Sequence, residues 1–259
     1  MAAWLKELDE LLRGRKTDSR TLAQGTGHLS AGRFFVLIVI LGMIYGAFMG
    51  LYALLNRTPP CYQQWIASTV KVPAVFLLTL VVTFPSLYVF NALLNTRLTL
   101  AGTLRAITAA LTVNLAVLAS LGPITGFFSL TTGSYVFMKL LNYAFFAVAG
   151  IIGLTTLVTM LNRLESVPPV PAPPDPVPQP AAPEAAAAPL PVAEPAADEA
   201  RGSAVFRVWV LLYIFVGAQM GWVLRPLIGD PKQSFEWFRA RDSNVFMDVL
   251  RTLGALFQG

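Results

Sequence analysis

Three amides, Asn114, Asn142 and Gln219, and three cations, Lys71, Lys139 and Arg225, stand inside or at the edges of otherwise apolar runs. In an apolar medium such groups do one of two things. They hydrogen-bond one helix to another, at about 0.6–2 kcal/mol each, or they line a route for an ion or polar solute. Other chemistries lack their residues. The sequence holds one histidine, His28, and one cysteine, Cys61, and has no HExxH, Cys/His cluster, GxSxG or P-loop. No Asp, Glu or His falls deep in an apolar run, where a proton relay would need one. The sequence therefore predicts no catalytic residue, no metal ligand and no cofactor, and reads as non-enzymatic. Cys61, beside Pro59 and Pro60, reads as an incidental thiol.

The medium follows from composition. Of 259 residues, 55% are hydrophobic and 13% charged, against about 25% charged in soluble domains. The chain is expected to be an all-α integral membrane protein whose first partner is the lipid bilayer. No cleavable signal peptide is read: residues 1–33 are polar and charged, and the first apolar run is too long for a signal h-region. The net charge of +5 reads as positive loops rather than a nucleic-acid surface.

About five transmembrane helices are expected to carry the polar groups, with amphipathic helices at both termini. Residues 1–33 form a cytoplasmic segment in which Trp4, Leu5, Leu8, Leu11 and Leu12 share a helical face, Trp4 anchoring it at headgroup depth or against a partner. Residues 34–161 hold four spans, about 34–55, 72–94, 104–130 and 134–161, each near the roughly 20 residues a crossing needs. Residues 162–203 are a Pro/Ala-rich linker expected to be disordered. Residues 204–229 are the fifth transmembrane helix. Residues 230–259 carry an interfacial helix, preceded by an aromatic and basic cluster anchored by Trp237.

Details within the spans carry further expectations. Gly42, Gly46 and Gly50 recur at spacing four on one stripe of the first span, either for packing within the bundle or for an assembly interface, a homo-oligomer included. Pro85 and Pro123 are expected to kink the second and third spans. Lys71, Lys139 and Arg225 lie near span ends, where snorkelling suffices to place their charges. Gln219 is expected to find Asn114 or Asn142 inside the bundle.

The stretches "KVPAVFLLTLVVTFPSLYVFNALL" (71–94) and "TRLTLAGTLRAI" (96–107) resemble bacterial Yip1-like membrane proteins, and the motif "QMGWVLRPLIG" (219–229) is similar to one in other bacterial multi-spanning membrane proteins. The resemblance covers roughly 34–161 and 204–258 and implies a five-helix membrane domain with a cytosolic N-terminal segment. Two functions remain open on the sequence: a scaffold or organiser of a membrane assembly, and a channel or transporter subunit with a pathway along Asn114, Asn142 and Gln219. The basic residues Lys6, Arg13, Arg15, Lys16, Arg20 and Arg33 favour a cytoplasmic N-terminus.

Overall fold

The structure, a computed structural model, describes residues 31–93, 100–165, 195–239 and 245–257. The expected N-terminal amphipathic helix with Trp4, and most of the Pro/Ala segment, lie outside these residues. Among those described there are six α-helices and no strand: α1 (Ala31–Leu55), α2 (Tyr62–Leu93), α3 (Leu100–Thr131), α4 (Tyr135–Glu165), α5 (Pro195–Val223) and α6 (Val245–Phe257). Four stretches, Gly32–Leu55, Tyr62–Ser86, Thr103–Thr131 and Tyr135–Met160, are long and apolar enough to cross a membrane, and α5 has a shorter apolar part, Val208–Val223. The chain is an all-α membrane bundle.

Helix α1 packs between α2 and α3; α4 lies on α3, α5 on α2, and α6 between α4 and α5. Three faces of α1 explain its central place. The glycine stripe meets α2: a Cβ on Gly46 would come 2.6 Å from the Ser68 carbonyl oxygen, and one on Gly42 2.9 Å from Pro73 Cβ. Phe48 enters a notch on α3 made by Gly122 and Gly126. Tyr45, Met49 and Tyr52 are fully buried, with the Tyr45 ring edge-on to Phe146 of α4. The stripe expected to serve either packing or assembly is thus occupied within the chain.

Several expected boundaries are corrected. Helix α2 begins at Tyr62, ten residues before the expected 72, because Pro73 is tolerated inside the helix, its ring set against Gly42. Pro85 lies inside α2, and Pro123 inside α3, which reaches Thr131. The expected linker 162–203 is too long at both ends. Helix α4 continues to Glu165, and α5 starts at Pro195, where proline suits a first helical position and "AADEA" favours helix. The expected fifth span, 204–229, stops at Val223, six residues early, in a turn that holds the cis Arg225–Pro226 bond.

Candidate functional site

Three groups of polar side chains fasten separate parts of the bundle. The first joins α2 to the chain after α5. Gln64, Ser68 and Lys71 recur at i, i+4 and i+7 on one face of α2, and all three are buried. Against them lies the segment 224–229, whose backbone has left the helix and needs donors wherever water is absent. Lys71 Nζ donates to the Pro226 carbonyl at 3.2 Å and to the Trp237 carbonyl. Gln64 Nε2 reaches the carbonyls of Pro226 and Leu227 at 3.3 and 3.4 Å, and Ser68 Oγ reaches that of Leu227. The Arg225 carbonyl receives the Arg239 amide at 3.3 Å. Gly229, at φ +82°, turns the chain away with no room for a side chain: a Cβ there would fall 2.4 Å from Gln64 Cγ.

Aromatic rings close this site. Lys71 Nζ lies 5.8 Å from the Trp237 ring centre and 5.3 Å from that of Phe238. The Arg225 guanidinium carbon stands 3.7 Å from the centre of the Trp222 ring, a cation–π geometry. The same register continues along α2 and α5, which run antiparallel: Gly217 faces Thr79, and Trp209 Nε1 donates to Ser86 Oγ at 3.2 Å.

The second fastening is internal to the first four helices. Tyr45 Oη donates to Asn142 Oδ1 at 2.7 Å, and Asn142 Nδ2 donates to the Met138 carbonyl at 2.8 Å. Nearby, Tyr52 Oη donates to the Gly133 carbonyl in the α3–α4 turn at 2.8 Å. The third joins α4 to α6: Lys139 Nζ and Asp248 Oδ2 form an ion pair at 2.5 Å, and Tyr143 Oη donates to the same carboxylate oxygen at 2.8 Å.

Placed against expectation, the candidate residues divide. Asn142 is a buried helix-to-helix partner, one of the two uses left open by the sequence. Lys71 and Lys139 do more than snorkel, since Lys71 caps backbone carbonyls and Lys139 pairs with a carboxylate. Trp237 is half exposed and covers Lys71. The expected meeting of Gln219 with Asn114 or Asn142 does not occur among the described residues. Helix α5 packs on α2 and α6, and Asn142 has Tyr45. Asn114 lies against Gly153, its Oδ1 buried without a hydrogen-bond partner among the described residues. Sequence reasoning missed Gln64, Ser68, Tyr45, Tyr143 and Asp248. The first two carried a signal, the helical spacing 64, 68, 71, which a late start for α2 concealed.

This architecture defines a multi-pass membrane protein. No family model, curated protein or solved structure matches the chain.

Proposed function

We propose that the protein is a non-enzymatic scaffold or organiser of an assembly in the cell membrane, with its N-terminus in the cytoplasm. The observation that carries this reading is the use made of the intramembrane polar groups. Lys71, Gln64 and Ser68 hold the turn after α5, Asn142 holds Tyr45, and Lys139 holds Asp248. They are spent on three separate joints instead of converging on one path. The basic N-terminal residues support the orientation, and the Yip1-like resemblance supports a domain built around five helices. The alternative, a channel or transporter subunit, draws on Asn114 Oδ1, which has no hydrogen-bond partner among the described residues.

Flux measurements on purified protein in sealed vesicles separate the two. A scaffold leaves ion and small-solute leakage at the protein-free rate. Leakage above that rate, lost in Asn114→Leu at unchanged thermal stability, would overturn the scaffold reading.

A further inference from the structure

Helix α6 turns its polar side inward. Asp248 and the buried Thr252 face the bundle, Asp248 on Lys139 and Tyr143. At 3.6 residues per turn, Phe246, Leu250 and Leu253 form a stripe on the side opposite Asp248, and they are 51%, 62% and 40% exposed. An amphipathic helix lying on a soluble core presents the reverse arrangement.

The depth of α6 can be read from both helices beside it. On α4, Tyr143 lies eight residues beyond Tyr135, about 12 Å along the axis at 1.5 Å per residue. The apolar stretch Tyr135–Met160 has 26 residues, about 39 Å against a hydrocarbon core of about 30 Å. With the overhang shared between its ends, Tyr143 still stands several ångströms inside the core. On α5, Phe215 lies eight residues before Val223, again about 12 Å in, and its ring stacks on Phe246 at 6.0 Å and 23°. The stripe meets the outer face of α5 through Phe215, and Leu211 and Ile214 on α5 and Val148 and Ile151 on α4 are exposed apolar side chains on the flanking helices.

We propose that α6 is inserted into the hydrocarbon of one leaflet, with Phe246, Leu250 and Leu253 against lipid acyl chains and Asp248 drawn inward to Lys139 and Tyr143. With 13 residues, about 20 Å, it enters the membrane without crossing it. The carboxylate absent from the spanning runs is thereby supplied at membrane depth by a helix that does not span. Arg251, lateral to the stripe and exposed, is long enough to carry its charge toward the interface. The proposal holds whether the bundle scaffolds or conducts.

The test is spin-label accessibility of the full chain in lipid vesicles, in a Cys61→Ala background, with single nitroxides at Leu250→Cys and Leu253→Cys. Leu211→Cys serves as the lipid-facing reference and Lys232→Cys as the aqueous one. The ratio of collisions with oxygen to collisions with a water-soluble nickel chelate is expected to match Leu211 at both stripe positions and to exceed that at Lys232. A ratio matching Lys232 would place the stripe in water. Low collision rates with both reagents would mean that a second copy or another protein covers it. Either result overturns the proposal, and neither bears on the flux experiment above.

Discussion

Lys71 has an ammonium group in a buried position, 3% exposed, with two backbone carbonyls and two aromatic faces around it. Its removal takes the donor from the Trp237 carbonyl and leaves the Pro226 carbonyl with Gln64 Nε2 alone. Lys71→Met is therefore expected to lower stability by about 1–3 kcal/mol, the usual cost of an unsatisfied buried acceptor, read as a lower melting temperature in detergent. Lys71→Arg is not a silent exchange, because a planar fork does not fit the space of a compact ammonium. The Lys139–Asp248 pair invites a double-mutant cycle. Breaking a fully buried pair from one side costs about 3–5 kcal/mol. Both side chains here are 19% exposed, so Lys139→Met is expected to cost less than that. Lys139→Met combined with Asp248→Leu should recover part of the loss, since no lone charge remains. A double variant less stable than either single one would contradict the pairing.

Helix α1 depends on close approach along its glycine stripe. Gly46→Leu puts a side chain where even a Cβ would lie 2.6 Å from the Ser68 carbonyl, so α1 and α2 must separate. Leu41→Ala removes a partly buried side chain packed against the core and leaves that contact intact. Gly46→Leu is expected to be the more damaging, in folded yield and thermal stability alike; equal behaviour would mean that the stripe does not hold α2. The stripe was legible in the sequence because spacing of four between small residues has one geometric meaning on a helix. The start of α2 was not, because a proline eleven residues inside a helix is tolerated only when a neighbour leaves room for its ring, and that neighbour, Gly42, lies 31 residues away. Asp248 was illegible for a similar reason: on its own helix it looks like a solvated charge, and only the tertiary fold sets it against Lys139 and Tyr143. The expected pairing of Gln219 with an asparagine failed because depth in the membrane does not fix azimuth. Helix α5 packs chiefly on α2 rather than on the helices that carry Asn114 and Asn142.

Across the whole molecule, α5 and α6 are fastened to the first four helices at both of their neighbours: through Trp209, Gly217 and the turn at Pro226 on α2, and through Asp248 on α4. These contacts do not need the covalent connection between α4 and α5. A protease site placed within residues 166–194 should therefore yield, after cleavage, two fragments that co-purify and melt together. Separation of the fragments in mild detergent would show that the joints are weaker than their geometry implies. If the polar side chains fastened between helices are joints in a dry bundle, Asn142 reports it most directly. In a Cys61→Ala background, Asn142→Cys is treated in vesicles with a membrane-impermeant thiol reagent, with Lys232→Cys as the exposed control. The account predicts that Lys232→Cys is modified and Asn142→Cys is not, until detergent and denaturant open the fold. Modification of Asn142→Cys in the intact, folded protein would reveal water at that depth and contradict the account.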